Sequence, residues 1–453
     1  MKMEGEATTL KRTLAEWKFS QYPKYILLPI DENNEQISSN VKNVVFSEAT
    51  PIPLENNVRL VCVSVDALAN ILDMDPDVSN REEFVEFVSG RKLPYGALPI
   101  AHRYGGHQYG LWAGQLGDGR AHIIGEYVNS RNERWQLQLK GSGPTPYSRM
   151  RDGRLVLRAA IREMVVSEAC HYLGVPTTRA AAVIVSDEAV VRDMYYSGCP
   201  RRESAAVVLR LAKCWFRFGS LEVLSRAGEL TVLRQLTDFI IKVVVWNIGQ
   251  LANALKPLLT SSQQVHMLHI LKTLDTYCKN KILETFLMKI GLKEERWGDE
   301  QLVEKLLDMM QQTGADFTAT FRQLAELEPS ELVSEVKISE KWSLKRLSSH
   351  ASWGCWLDQY RERLDKEAVD ASSVGMFEDE RRRRMLSVNP IYVPRNWILH
   401  EAIVDAEKDD FGKVQFLLEV IRRPYDINPE AELRGFSAQP PQWAYALKIS
   451  CST

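Results

Sequence analysis

The sequence predicts an α+β protein with two lobes: a strand-rich lobe over residues 1–225 and a mostly helical lobe over residues 226–453. Two observations lead to this prediction. Short apolar runs of strand length, separated by glycines and polar turns, fill the first half, and longer segments with helical periodicity fill the second. The chain of 453 residues is also too long for one small core. Strands followed by helices are typical of an α+β fold.

The first half contains a predicted β-hairpin, residues 121–128 and 135–140, joined by a short polar turn. In its second strand, apolar side chains alternate with Gln136, Gln138 and Lys140, so the strand has an apolar face and a polar face. Further runs that read as strands are 58–63, 182–185, 189–192 and 205–211.

One helix interrupts these strands. Apolar residues recur at helical spacing from Leu155 onward, and Gly174 and Pro176 end the pattern. The predicted helices of the second half are 265–288 (stopped by Gly291), 301–310, 396–407 and 411–423.

Composition and charge exclude several classes of protein. With 57 Lys and Arg against 59 Asp and Glu, no bulk positive charge is present to bind nucleic acid or an acidic membrane. The strongest apolar run, residues 239–246, is interrupted by Lys242 and is too short to span a bilayer. Seven cysteines are too few for a disulfide scaffold. We interpret the charged run 378–384 as a solvated helix face and expect a soluble protein that binds neither nucleic acid nor membrane.

The segment most suggestive of chemistry is 104–120, which has six glycines in seventeen residues. Glycines allow backbone N–H groups to approach an anion closely, and Arg120 can offer phosphate a planar pair of donors. A loop that merely turns tightly explains the glycines equally well, because neither of the common phosphate-binding glycine strings is present.

Lys140 ends a predicted strand on its polar face, and Glu163 lies on the next predicted helix. A strand lysine held by a helix glutamate, beneath a glycine-rich loop, is how protein kinases orient nucleotide phosphates. Taken alone, such a pair is a solvated surface ion pair of little energetic value. The order of loop, lysine and glutamate favours a nucleotide site.

Two further groups of residues that could bind phosphate lie later in the chain. Asp152 and Gly153 stand with Arg154 at the start of the predicted helix, where unpaired N–H groups favour anions. Arg210 and Arg217 flank an apolar segment and suggest a second phosphate clamp. Taken alone, without the other motifs, these two residues are better interpreted as ordinary surface arginines.

The sequence resembles the selenoprotein O family. The motifs that carry the resemblance are 105–120, 137–141, 157–163, 217–220 and 440–444. The resemblance covers nearly the whole chain and implies a protein-kinase-like fold that binds ATP in a flipped orientation. It implies transfer of AMP from Mg-ATP to Ser, Thr or Tyr hydroxyls of protein substrates. It also implies a mitochondrial location, although residues 1–24 show no presequence, and the cytoplasm is the alternative.

Carried over onto matching positions, the resemblance implies a set of ATP contacts. These are Gly117, Gly119, Arg120, Lys140, Asp152, Gly153, Arg210 and Arg217. Glu163 matches the family's helix partner of the lysine. A flipped nucleotide points its phosphates inward, where the two arginine sites add positive charge.

One part of the family pattern is missing. After Arg217 the family carries a segment resembling H-G-V-M-N-T-D-N and then I-D-Y-G-P, which supply an aspartate base and the Asn/Asp pair that holds Mg²⁺. Here residues 230–242 run almost directly into 245–252, which resembles the part of the family sequence beyond that segment. Asn247 has no aspartate at usable spacing after it, and Asp410-Phe411-Gly412 spells the kinase metal tripeptide by chance. We therefore expect no catalytic or metal-binding residues in this chain, and little or no AMP transfer.

Two alternatives remain. The first is a non-catalytic isoform that binds ATP or a partner. The second is a thiol redox role for Cys451, which falls where some family members have selenocysteine. Lys448 replaces the family's companion cysteine, so no local Cys-x-x-Cys can form, although a nearby lysine favours the thiolate. A frayed terminal cysteine without a role explains Cys451 equally well.

Overall fold

The computed structural model describes residues 10–21, 23–32, 41–108, 110–241, 258–328, 330–368 and 374–449. The chain forms two compact units. The first comprises residues 1–268, 399–418 and 448–453, and the second comprises 269–398 and 419–447. The predicted boundary after residue 225 marks the change from strands to helices, and it stays a prediction as a domain boundary.

In the described residues, nine strands form one sheet and two more form a separate hairpin. The strands are β1 (Ile30–Asp31), β2 (Phe46–Glu48), β3 (Arg59–Val63), β4 (Ile100–His102), β5 (Gly105–Gln108), β6 (Leu111–Gln115), β7 (Ala121–Val128), β8 (Arg134–Lys140), β9 (Leu155–Val156), β10 (Arg179–Arg192) and β11 (Arg201–Ala212). The sheet order is β1-β2-β4-β7-β8-β11-β10-β3, and β9 pairs with β11. All pairs are antiparallel except β1 with β2. The predicted hairpin is confirmed as β7 and β8.

The predicted strands 182–185 and 189–192 are one continuous strand, β10. Its register against β11 shifts between these two runs. The intervening residues 186–188 are Ser-Asp-Glu, which break the apolar pattern in the sequence. A bulge accommodates them while pairing continues on both sides, so the sequence pattern alone divides a single strand into two.

The described helices are α1 (Val65–Leu72), α2 (Glu82–Val88), α3 (Leu157–Tyr172), α4 (Phe218–Arg226), α5 (Leu230–Ile241), α6 (Ser261–Lys289), α7 (Asp299–Thr313), α8 (Phe317–Glu326), α9 (Glu335–Glu340), α10 (Trp342–Leu347), α11 (Trp353–Ala368), α12 (Val374–Val388), α13 (Asn396–Ala406), α14 (Gly412–Ile421) and α15 (Pro429–Leu433). The four helices predicted in the second half are confirmed as α6, α7, α13 and α14. α3 begins two residues later than predicted, because Leu155 and Val156 pair with β11 as β9. Within the described part of the chain, no helix is long and apolar enough to cross a membrane.

The first unit packs α1 and α2 against the apolar face of the sheet. Leu68 and Phe84 of these helices share one buried cluster with Leu137 of β8. The opposite, polar face of β8 is covered as well, since Gln136 is 4% exposed and Gln138 is 1% exposed. A buried polar face must satisfy its hydrogen bonds within the protein. Polar side chains of the candidate site described below lie on this face.

The second unit is helical and has its own core, which includes Trp356 and Tyr360 of α11. Arg381 on α12 is fully buried, where it pairs with Glu378 and donates to the Leu327 carbonyl. The interpretation of 378–384 as a solvated face is wrong at this arginine. A buried guanidinium is tolerated here because a carboxylate and a carbonyl satisfy it.

Candidate functional site

A pocket of about 1070 Å³ lies in the first unit, beside β8, β11 and the first turns of α3. Its lining includes every described residue that the resemblance assigns to ATP, together with the lysine's partner. These are Gly117, Gly119, Arg120, Lys140, Asp152, Gly153, Glu163, Arg210 and Arg217. The fold therefore gathers residues from four separate sequence motifs around one cavity.

The wall of this pocket is strongly basic. Nine basic side chains line it, against four carboxylates. Besides Lys140 and the three predicted arginines, the basic residues are Arg149, Arg151, Arg154, Arg162 and Arg192. Like charges brought this close repel one another, and fixed carboxylates or a bound polyanion reduce that repulsion.

Glu163 joins two of the cations. Lys140 Nζ lies 2.5 Å from its Oε2, and Arg210 Nε lies 2.7 Å from its Oε1. Because all three side chains are partly buried, solvent screens these charges less than it screens a surface pair. Burial lowers the pKa of Lys140, and the Glu163 carboxylate opposes that shift. The expected contact between Glu163 and Lys140 is present, and the role of the pair toward ATP stays a prediction.

The register of the sheet explains why these cations meet. In the antiparallel pair of β8 and β11, Lys140 lies opposite Val208, and Gln138 lies opposite Arg210. Alternate residues of a strand point to the same face, so Gln138, Lys140 and Arg210 share one face. α3 then brings Glu163 over that face.

The predicted glycines are required by packing inside the protein. A Cβ on Gly117, whose φ is +119°, would lie 2.4 Å from the Tyr147 ring, and one on Gly119 would lie 2.7 Å from the Tyr147 carbonyl oxygen. A Cβ on Gly153 would lie 2.1 Å from the carbonyl carbon of Gly143. These clashes exist without any ligand, so the glycines are explained by close approach of two chain segments.

The glycine-rich segment 104–120 is a hairpin and then a pocket-lining loop, because β5 and β6 pair within it. The loop after β6 is held by hydrogen bonds from the segment after β8. Thr145 Oγ1 donates to the Asp118 carbonyl at 2.8 Å, and Ser148 Oγ donates to the Gly119 carbonyl at 2.6 Å. The backbone that carries Arg120 into the pocket is therefore fixed.

The remaining predicted residues have other neighbours. Asp152 accepts two hydrogen bonds of 2.7 Å from the Arg192 guanidinium, so a protein cation already engages its carboxylate. Cζ of Arg217 lies 4.7 Å from the centroid of the Tyr104 ring, a cation–π distance. Burial lowers the pKa of Arg120, and Arg192 nearby adds to that shift.

Sequence reasoning missed Asp118 and Gln138. Asp118 is buried at the pocket, and burial raises its pKa to about 6 although Arg217 and Arg210 act in the opposite direction. Gln138 Nε2 donates to Asp118 Oδ2 at 3.2 Å, and Gln138 Oε1 accepts from Arg210 Nη1 at 2.9 Å. The available signal was the polar face of β8, on which Gln138 precedes Lys140 by two residues.

Magnesium, which the resemblance implies, finds no fitting ligands in the described residues. That part of the chain contains no group of three or more His, Cys, Asp or Glu placed to hold a metal ion. Two of the four carboxylates that line the pocket are already paired with cations of the protein: Glu163 with Lys140 and Arg210, and Asp152 with Arg192.

Some predictions from the sequence fall elsewhere. The junction between Lys242 and Trp246, Asn247 and Cys451 all lie outside the described residues. Asp410 precedes α14, where its Oδ1 accepts a hydrogen bond of 3.0 Å from the Gly412 N–H. It does not line the pocket, in agreement with the interpretation of this tripeptide as a chance match.

Comparison with known proteins identifies the family. The sequence profile described as "Protein adenylyltransferase SelO" matches residues 46–244 and 242–422. A protein nucleotidyltransferase YdiU of Azoarcus sp. (strain BH72) is 34% identical over 522 aligned positions, which cover 94% of this chain and 98% of the relative. A protein of the same name from Xanthomonas axonopodis pv. citri (strain 306) is 34% identical over 506 positions, covering 91% of this chain and 95% of the relative.

The alignment with the Azoarcus protein is longer than the 453 residues of this chain, so the relative contains residues with no counterpart here. The two matches to the family profile meet at residues 242–244, where the sequence predicts a missing segment. The strand-rich first part and mostly helical second part agree with the kinase-like α+β fold expected of this family. On the profile match and the identity over most of its length, the chain belongs to the SelO family of protein adenylyltransferases.

Proposed function

We propose that the pocket binds ATP, and that the reaction for which the site is built is transfer of AMP to Ser, Thr or Tyr hydroxyls of proteins. The observation that carries the proposal is the convergence of Arg120, Lys140, Arg210 and Arg217 on one cavity. A cavity of about 1070 Å³ can hold a nucleotide, since its volume lies at the upper end of the range found for ligand pockets. Family membership supplies the reaction type.

The chemistry explains the need for several cations. The acceptor hydroxyl oxygen forms a bond to the α-phosphorus, the bond from that phosphorus to the oxygen leading to the β-phosphate breaks, and pyrophosphate leaves. The hydroxyl proton must pass to a base. Negative charge grows on the leaving pyrophosphate, and fixed cations beside it stabilise the transition state. Lys140, Arg210 and Arg217 line the pocket, which supports this role for them toward phosphates bound inside it.

The mouth of the pocket favours a protein acceptor over a small molecule. Met150, next to pocket-lining Arg149, is 96% exposed, and Tyr196, which also lines the pocket, is 77% exposed. Methionine, tyrosine and arginine are the side chains enriched where proteins bind one another. A hydroxyl presented on a protein segment can reach the cavity from this surface.

We further propose that this chain turns over slowly or not at all. The meeting of the two profile matches at 242–244 supports the absence of the family's catalytic segment. Loss of a general base typically costs about 10²–10⁴ in rate, and loss of metal assistance removes several kcal/mol of transition-state stabilisation. The chain then acts as a non-catalytic form that binds ATP or a partner. A redox role for Cys451 and a mitochondrial rather than cytoplasmic location stay predictions.

The test measures incorporation of label from α-phosphate-labelled ATP into protein, with and without Mg²⁺, including self-modification. The unmodified chain should show no incorporation above background. A matched chain with the corresponding segment of the Azoarcus relative inserted between Lys242 and Trp246 should regain it. Strong labelling by the unmodified chain would show that other residues supply the base. Calorimetric titration with ATP checks binding separately, and a chain that binds no ATP would overturn the proposal.

A further inference from the structure

Two cations of the pocket, Lys140 and Arg210, are held by a polar network that passes through a neutral amide, Gln138. Glu163 bridges Lys140 and Arg210, and Arg210 continues the network to Gln138 at 2.9 Å. Gln138 continues it to the buried carboxylate of Asp118 at 3.2 Å. The network thus runs from α3 through β11 and β8 to the glycine-rich loop.

Glutamine suits this position chemically. A guanidinium can only donate hydrogen bonds and a carboxylate can only accept them, so the side chain between Arg210 and Asp118 must accept on one side and donate on the other. An amide does both, and the two neighbours also fix which way it points. A carboxyl here would add a second carboxylate to Arg210, which Glu163 already contacts, and would repel Asp118, whereas a lysine would repel Arg210.

We infer that Gln138 is a positioning residue for the nucleotide: it orients the Arg210 guanidinium toward the phosphates without adding a second carboxylate to the one that Glu163 already supplies. Gln138 does not line the pocket, so it acts through Arg210. A second constraint comes from Trp215, whose ring centroid lies 4.5 Å from Cζ of Arg210. Stacking restricts the plane of the guanidinium, and the amide sets its direction within that plane. The inference rests on the proposed binding of ATP in this pocket.

The test is calorimetric titration of the full chain with ATP, comparing Gln138→Leu and Gln138→Glu with the parent. Gln138→Leu removes both hydrogen bonds and should weaken ATP binding by about tenfold, the usual scale for a hydrogen bond to a charged group. Gln138→Glu should weaken it further, because the introduced carboxyl competes with phosphate for Arg210. It keeps the volume and the acceptor oxygen, so it remains informative if the leucine variant fails to fold.

Gln136→Leu is the matched control. Gln136 lies two residues earlier on the same face of β8, is also buried, and pairs with Ala212 rather than with an arginine. The Gln136→Leu variant should bind ATP with an affinity within about twofold of that of the parent chain. A general loss of packing would lower the ATP affinity of the Gln136 and Gln138 variants alike. Equal losses of ATP affinity at the two positions would therefore overturn the inference.

The pH profile provides a second readout that packing alone does not change. The introduced carboxyl of Gln138→Glu would face Asp118 and Arg210, with Arg217 and Lys140 acting on the same cluster. Protonation removes its charge, so the gap in ATP affinity between Gln138→Glu and the parent should narrow as the pH falls. Parent-like affinity in both Gln138 variants would overturn the inference while leaving the proposed function intact. Absence of ATP binding by the parent would instead overturn the proposed function.

Discussion

Replacing Lys140 by alanine removes the ammonium group that lies between Glu163 and the open pocket. A charge-assisted hydrogen bond to phosphate contributes about 1.5–3 kcal/mol, so ATP affinity should fall by roughly ten- to a hundredfold. The fold should tolerate the change. Glu163 keeps its 2.7 Å contact with Arg210, so its carboxylate is not left without a cation.

Isothermal titration with ATP, together with thermal unfolding of each variant, separates the loss of a ligand contact from the loss of the fold. Lys213→Ala is the matched control: this lysine also forms an ion pair, 2.9 Å from Glu133, but it is 59% exposed and lies outside the pocket lining. It should bind ATP like the parent. Equal affinity of the parent and Lys140→Ala, with both chains folded, would refute the assignment of Lys140 to phosphate binding.

Three further results are expected from stability measurements. Gly117→Ala should lower the free energy of unfolding by about 3 kcal/mol even without nucleotide, because the new Cβ clashes with Tyr147 and the backbone is strained. Gly114→Ala, with nothing within 4 Å of the new Cβ, should lower it by only about 1 kcal/mol. Equal losses of stability for the two variants in denaturant titrations would contradict the role of the Tyr147 clash. Burial raises the pKa of Asp118 in the folded chain to about 6 from 3.8, so its ionisation weakens the fold as the pH rises through that interval. The stability of Asp118→Asn relative to the parent should therefore grow by an amount on the order of 3 kcal/mol between about pH 4 and pH 7, and a difference independent of pH would exclude this cause. Arg381→Ala should destabilise the second unit by about 3–5 kcal/mol because it leaves a carboxylate without its buried partner; unchanged thermal unfolding would refute the importance of this pair.

Much of the site could be predicted from the sequence, because its members stand out by residue type and local pattern. Alternation in β8 placed Lys140 on a polar face, and helical spacing placed Glu163 on α3. The grouping of these two with Arg210 and Arg217 into one site came from the family resemblance, since each arginine alone reads as a surface residue. Close approach to a bound anion, the explanation that the sequence suggests for the glycines, is incomplete. The clash that excludes a side chain at Gly117 is with Tyr147, which lies some thirty positions further along the chain.

The amino-acid sequence specifies which residues are charged, the strands and helices in which most of them lie and, through its family, the ligand they are expected to bind. The pairing of β8 with β11, in the register that places Gln138 opposite Arg210, becomes visible in the folded chain. Local periodicity specifies the face of a strand but carries no information about which strand lies beside it. The network from Lys140 to Asp118 depends on that pairing, because hydrogen bonds form between neighbours in space, which the order of residues along the chain does not reveal.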